Sequence, residues 1–162
     1  MTELFLSAFV MLFVVMDPIG CAPIYASMTR DASWPQRRDM AVRAVVIATV
    51  ILLVFALFGK RLLDILGISL DSFRISGGIM LFLIALEMVF ERRTRRREDR
   101  AQKIIETPEV EDVSVFPMAM PMIAGPGSIA TMMLLMSRTD GMTAALVVLG
   151  ALLLTLMLML AC

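Results

Sequence analysis

Five apolar stretches run along this chain, and each is close to the roughly 20 residues that a helix needs to cross the hydrocarbon core of a membrane. Short polar segments with most of the charged side chains separate them. The pattern predicts an all-α, polytopic bundle of transmembrane helices. The predicted spans lie at about Leu4 to Met28, Val42 to Phe58, Ser72 to Phe90, Val113 to Met136, and Met142 to Cys162.

Proline and glycine interrupt two of these stretches near their middle. The first reads VVMDPIGCAPIY around Pro18, and the second, in the fourth span, reads PMIAGPGSIATM around Pro126. Because proline lacks an amide donor and clashes with the preceding turn, we expect each helix to kink or restart at its proline. At membrane depth, protein or a wet cavity must then satisfy the freed backbone groups. Pro117 and Pro121 predict a further kink in the fourth span.

The composition indicates an integral membrane protein. Hydrophobic residues make up 59% of the chain, above the roughly 45 to 50% of soluble domains. The chain has no histidine, so the usual imidazole base and metal ligand are missing. Its two cysteines suggest neither a disulfide framework nor a metal site. We therefore expect a lipid-embedded protein that is not an enzyme and has no cofactor, no metal and no nucleic-acid partner.

One long polar connection, from Glu91 to Asp112, divides the chain. It carries seven basic and seven acidic residues, and the basic ones lie towards the preceding helix. Anionic lipid headgroups are candidate partners at Arg92 to Arg97, although these arginines could simply anchor the third helix. The connection separates residues 1–90, a first three-helix repeat, from 113–162, an incomplete second repeat.

The distribution of basic residues predicts the orientation. Eleven of the fifteen fall in the connections after the first and third helices, and this bias favours a cytoplasmic location there and a periplasmic N-terminus. The eleven are Arg30, Arg37, Arg38, Arg43, Arg92, Arg93, Arg95, Arg96, Arg97, Arg100 and Lys103. The two broken helices then enter from opposite sides, as in a 3+3 inverted repeat. Such a repeat predicts a sixth helix after the five present.

The two breaks predict a binding site near the membrane midplane. Aspartate before proline is typical of a helix start, and a new helix N-terminus offers unpaired amides and partial positive charge. We expect the amides of Gly20, Gly127 and Ser128 to hold a carboxylate while Asp17 faces an ammonium group. Asp17 could instead exchange a proton, bind sodium, or serve only as a cap. The predicted site residues are Asp17, Pro18, Gly20, Gly125, Pro126, Gly127 and Ser128.

Three motifs, in this order, carry a family resemblance: MDPIGCAPIY, ISGGIMLFLIALEM and AMPMIAGPGSIATMMLL. From about Leu4 to Met136 the chain resembles the MarC family of bacterial inner-membrane proteins. This family is also described as a neutral amino acid transporter family and is related to LysE-type exporters. The resemblance implies a six-helix protein of the bacterial inner membrane, and some members resemble carriers of alanine, serine or glycine. The chain departs from the family in its missing last helix and its highly charged central loop.

Three functional classes follow from these features. A secondary transporter of small neutral solutes, such as amino acids, accounts for the opposed breaks and the acid within the first span. A channel-like pore, or a membrane protein without transport activity, accounts for the breaks but gives Asp17 no role. An intramembrane hydrolase built on Ser128 lacks a histidine or a membrane lysine to activate the hydroxyl. Oligomeric state and coupling ion stay open.

Overall fold

The computed structural model describes residues 1–30, 32–90, 112–139 and 141–161. The regular elements in these ranges are helices. They are α1 (Thr2–Met16), α2 (Pro18–Met28), α3 (Trp34–Ile65), α4 (Leu70–Val89), α5 (Ser114–Ile123), α6 (Pro126–Ser137) and α7 (Met142–Ala161). α5 is irregular, with wide π-type turns and two positions of extended backbone within it. The charged connection predicted over 91–112, including Arg92 to Arg97, lies outside the described residues except for Asp112.

The helices confirm the prediction of a polytopic helical membrane protein. α1 with α2, α3, α4, α5 with α6, and α7 occupy the five predicted apolar stretches in order. Within the described ranges, three runs are long and apolar enough to cross a membrane: Thr2–Met28, Trp34–Ile65 and Met142–Ala161. α5 and α6 together form a fourth, bent by 52° at their junction. α4 is not among these runs; it carries Asp71, Arg74 and Glu87.

The second predicted span, Val42 to Phe58, was wrong in its bounds because α3 extends well beyond it on both sides. Several of the polar residues before it belong to the helix, which already begins at Trp34. Gln36 accepts a hydrogen bond from the Ser33 amide at 2.9 Å, and Pro35 occupies the first turn. Such a cap starts a helix among polar residues, whereas hydropathy locates only its apolar middle.

One stripe of α3 faces the interior of the bundle. Its buried residues recur every fourth position, while Val46, Val50 and Val54 between them are exposed. The stripe is Ala44, Ala48, Leu52 and Ala56. Small residues at this spacing let neighbouring helices approach closely, which is the main source of helix association in a membrane. α3 packs here against α5, α6 and α7, and α1 packs along α6 and α7.

An ion pair joins α3 to the start of α5. Arg43 Nη1 lies 3.2 Å from Asp112 Oδ2, and the Ser114 amide donates to Asp112 Oδ1 at 2.9 Å. Hydrogen bonding by Ser114, followed by the positive charge of Arg43, holds the pKa of Asp112 below its usual range. The folded state therefore favours the carboxylate form of Asp112.

This lowered pKa makes the protein sensitive to acid. The stabilisation is fully present above the unfolded pKa of about 4 and is lost as the pH falls through the lower folded pKa. Because the Asp112 side chain is 45% exposed, solvent screening limits the effect to no more than about 1 kcal/mol. We expect Asp112→Asn to reduce the acid-induced drop in thermal unfolding temperature below about pH 4. Asp71→Asn, at a side chain 87% exposed, is the control; equal pH profiles for both variants would contradict the assignment.

A pair of neighbouring leucines on α7 tests the packing of the bundle. Leu152 is fully buried, whereas Leu153 is 51% exposed. Leu152→Ala should leave a cavity and destabilise the protein by about 1 to 3 kcal/mol. The cost comes from lost van der Waals contacts, because a side chain inside a membrane gains no free energy of transfer from water. Leu153→Ala should change the thermal unfolding temperature in detergent little. If the two variants unfold at the same temperature, the face of α7 has been assigned wrongly.

Candidate functional site at the two helix breaks

Asp17 ends α1 and starts α2. Its backbone adopts a left-handed conformation with φ 54° and ψ 66°, which aspartate tolerates better than most residues. Its amide donates to the Phe13 carbonyl at 2.9 Å and closes α1. Its carboxylate accepts from the Gly20 amide at 3.0 Å, and Pro18 occupies the first position of α2. The predicted restart of the first helix at this proline is confirmed.

Gly20 leaves room for the Asp17 carboxylate. A Cβ atom on Gly20 would lie 2.2 Å from Asp17 Oδ2, far inside van der Waals contact. Any larger residue would displace the carboxylate from the helix start. Glycine is thus required here by close approach, although its φ is that of an ordinary helix.

The second break lies between α5 and α6. Gly125 precedes α6 in an extended conformation, and Pro126 is the first helical residue. A Cβ atom on Gly125 would lie 2.3 Å from the Pro121 carbonyl oxygen, so this glycine also permits a close backbone approach. No side chain caps this helix start. Both broken helices therefore resume at a proline, one behind an aspartate and one behind a glycine.

The predicted second irregularity of the fourth span is confirmed within α5. Phe116 and Met120 have extended backbones, with φ of −130° and −135°, and each directly precedes a proline. The residue before proline avoids helical geometry because the proline ring crowds its backbone. Pro117 and Pro121 thereby widen α5 ahead of the break.

The two breaks lie next to each other in the bundle. A Cβ atom on Gly127 would lie 3.3 Å from Val15 Cγ1 on α1 and 2.5 Å from Ile84 Cδ1 on α4. Val15 lies two residues before Asp17, and Gly127 two residues after Gly125. Ser128 is only 2% exposed. Side-chain packing therefore covers Gly127 and Ser128 at the start of α6.

A cavity of about 200 Å³ runs along α2 between α3, α5 and α7; we call it the α2 cavity. Pro18 borders it at the break, together with Ile123, and Thr29 borders it where α2 ends. The cavity thus connects the first break with the loop between α2 and α3. It is lined by Pro18, Cys21, Ala22, Tyr25, Ala26, Thr29, Arg37, Ala41, Ala44, Val45, Met118, Ile123, Met159 and Leu160.

Polar groups gather at the loop end of the α2 cavity. The Tyr25 hydroxyl donates to the Arg37 carbonyl, and the Thr29 hydroxyl donates to the Tyr25 carbonyl at 2.9 Å. Sequence reasoning missed Tyr25 and Thr29 as site residues and placed Arg37 only among the orientation charges. The available signal was their spacing, since Tyr25 and Thr29 share the helical face that begins at Pro18.

The seven predicted site residues separate into different environments. Pro18 lines the α2 cavity, whereas Pro126 borders an apolar pocket of about 440 Å³ among α4, α5 and α6. The other five line neither: Asp17, Gly20, Gly125, Gly127 and Ser128. Asp17 and Gly20 are half-buried around their shared hydrogen bond. The structure therefore places the breaks together and the α2 cavity beside the first of them.

Metal-ligating side chains do not cluster in the part of the chain that the structure describes. No group of three histidine, cysteine, aspartate or glutamate side chains there could hold a metal ion. The polar chemistry at the breaks consists of backbone amides, the Asp17 carboxylate and the groups at the loop end of the α2 cavity.

Comparison with known proteins places this chain in a family. The sequence profile of the MarC family integral membrane protein matches residues 2–162. The chain belongs to the MarC family. Its sequence is 36% identical over 154 residues to the UPF0056 membrane protein MJ1677 of Methanocaldococcus jannaschii, covering 95% of this chain and 74% of that protein. No solved structure matches the chain.

Two other relatives give the same result. The UPF0056 membrane protein MJ0972 of M. jannaschii is 38% identical over 138 residues, which cover 84% of this chain and 59% of that protein. The UPF0056 inner membrane protein YhgN of Escherichia coli is 37% identical over 130 residues, covering 80% of this chain and 62% of YhgN. The chain thus spans roughly three fifths to three quarters of these relatives. This chain is an integral membrane protein, in agreement with the family description.

A substitution at Gly20 tests the geometry of the first break. Gly20→Ala should push the Asp17 carboxylate off the start of α2 and cost about 1 kcal/mol or more, the usual value of a lost cap. Gly78→Ala is the matched control, because a Cβ atom there meets nothing within 4 Å and should leave stability equal or slightly higher. Thermal unfolding in detergent measures both. Equal unfolding temperatures for the two variants would contradict the described contact.

Proposed function

We propose that the protein is a secondary transporter of small neutral solutes such as amino acids, with its site beside the two broken helices near the membrane midplane. The observation that carries this proposal is the α2 cavity, which reaches from the loop between α2 and α3 to the first break. A cavity ending at a broken helix is the arrangement by which transporters expose backbone groups to a solute.

The Asp17 carboxylate supports a transport role. It lies half-buried within the first membrane-spanning run, where an aspartate costs about 2.5 to 3.5 kcal/mol. Serine or asparagine would cap α2 as well without that cost. A carboxyl group at this depth favours a role for Asp17 with a solute ammonium group, a proton or sodium.

The size of the α2 cavity supports a small solute. Its volume of about 200 Å³ lies below the roughly 300 to 1,000 Å³ of sites for drug-sized ligands. Alanine residues at four lining positions keep it narrow: Ala22, Ala26, Ala41 and Ala44. Such a space suits a small solute with a short apolar body.

The orientation completes the proposal. We place the N-terminus in the periplasm and the loops after the first and third spans in the cytoplasm of a bacterial inner membrane. The loop end of the α2 cavity then faces the cytoplasm, and α2 and α6 restart from opposite directions as two halves of an inverted repeat. Anionic lipid headgroups at Arg92 to Arg97 would hold the cytoplasmic side.

Asp17→Asn separates a functional charge from a structural cap. Asparagine caps a helix about as well as aspartate, so the variant should keep its unfolding temperature. If the charge serves transport, saturable uptake of alanine or glycine by the full-length protein in proteoliposomes should fall about tenfold or more.

Asp64→Asn is the matched control, since this aspartate is exposed at the end of α3 and its loss should leave uptake unchanged. Unsaturable flux that survives Asp17→Asn would replace the transporter with a channel-like pore. Absence of uptake by the wild-type protein for every small neutral solute tested would refute the proposed function.

A further inference from the structure

Arg37 is the charged side chain at the α2 cavity. Among the described residues that line this cavity, the others are apolar or neutral, and Arg37 itself is half-buried. A partly desolvated guanidinium favours an anionic partner. Arg37 gives the cavity a basic residue at the end opposite the one bordered by Pro18.

The hydrogen bonds around Arg37 fix the orientation of its guanidinium group. Nε donates to the Ala32 carbonyl at 3.0 Å and Nη2 to the Arg30 carbonyl at 2.6 Å. The Tyr25 hydroxyl also donates to the Arg37 carbonyl and holds the backbone of Arg37. Within the part of the chain that the structure describes, these bonds use two of the five N–H donors of a guanidinium. The group is held in place before any ligand binds, which lowers the entropy cost of binding.

We propose that the loop end of the α2 cavity binds the carboxylate of a small solute through Arg37. Arginine donors match the planar geometry of a carboxylate, and bonds between the two charged groups are about twice as strong as neutral ones. Tyr25 and Thr29 border the same space. The apolar body of the solute lies against the alanines of α2 and α3. This inference rests on the proposed function, because that solute is the transported one.

The position of Arg37 makes this a binding site separate from the helix breaks. Tyr25 follows Pro18 by seven residues, or about 10 Å along the axis of α2. The carboxylate and ammonium groups of an amino acid are bonded to the same carbon atom, so one molecule cannot span that distance. A solute bound at Arg37 therefore has to move along α2 before it reaches Asp17. This assignment differs from the expectation that the amides of Gly20, Gly127 and Ser128 take the carboxylate first.

A lipid phosphate is the other source of an anion at this depth. The narrow, alanine-lined cavity favours a small solute over an acyl chain with its headgroup. We therefore assign the site to a solute, and the experiment distinguishes the two sources.

Protection of an engineered thiol tests the site without requiring transport. Ala26 lines the α2 cavity and is exposed, so Ala26→Cys in a Cys162→Ser background should react with a small methanethiosulfonate reagent. The same background without Ala26→Cys measures the contribution of Cys21. In full-length protein in phosphatidylcholine vesicles, L-alanine should slow the reaction several-fold, whereas alaninamide, which lacks the carboxylate, should not.

Arg37→Gln should raise the alanine concentration required for protection by about tenfold or more. This is the effect expected for loss of a charged hydrogen-bonding partner. Arg38→Gln is the matched control, because Arg38 is exposed and does not line the cavity. The comparison of alanine with alaninamide in protein that retains Arg37 tests the proposal even if Arg37→Gln fails to fold. Equal protection by both compounds, protection by neither, or an unreactive thiol would overturn it.

Anionic vesicles identify the source of the anion. If phosphatidylglycerol alone protects the thiol and alanine adds nothing, the site belongs to lipid headgroups and the proposal is wrong.

Failure of the carboxylate site and failure of the transporter can be told apart. Alanine uptake that is unchanged in Arg37→Gln removes the carboxylate site and leaves the transporter, whereas carboxylate-specific protection without any uptake removes the transporter and leaves the site.

Discussion

The hydrogen bond from the Gly20 amide to the Asp17 carboxylate is the interaction on which the candidate site depends. A membrane-spanning helix cannot simply stop and restart, because the amides of the new helix would face an apolar environment without partners. Asp17 closes α1 with its backbone and starts α2 with its side chain. With that cap in place, α2 can present one face to the cavity between itself, α3, α5 and α7.

The second break also restarts a helix within a membrane-spanning run, but without a side-chain cap. Gly125 and Pro126 restart α6 without a side-chain cap, and close packing by Val15 and Ile84 covers the residues that follow. The first break therefore has a carboxyl side chain and borders the α2 cavity, while the second borders a wholly apolar pocket. The polar groups therefore lie at the first break and along α2, and apolar packing surrounds the start of α6.

Sequence patterns predicted those features that depend on local chemistry. The breaks follow from proline and the helix start at Asp17 from its side chain, and both are determined within four residues. The bounds of α3 were missed because a capped polar turn can extend a helix beyond its apolar middle. The role of Arg37 at the cavity was missed for another reason. Charge counting assigns an arginine to a side of the membrane, but only the placement of α2 and α3 along the same cavity shows that this arginine borders it.

Solute counterflow tests the central claim, that the broken helices border a carrier site, most directly. Proteoliposomes containing the full-length protein are loaded with unlabelled alanine and diluted into a trace of labelled alanine. A carrier that exposes one site alternately to each side should accumulate label transiently above its equilibrium level, and the excess should disappear when the internal alanine is omitted. A monotonic approach to equilibrium, identical with and without internal alanine, would contradict a carrier at these breaks.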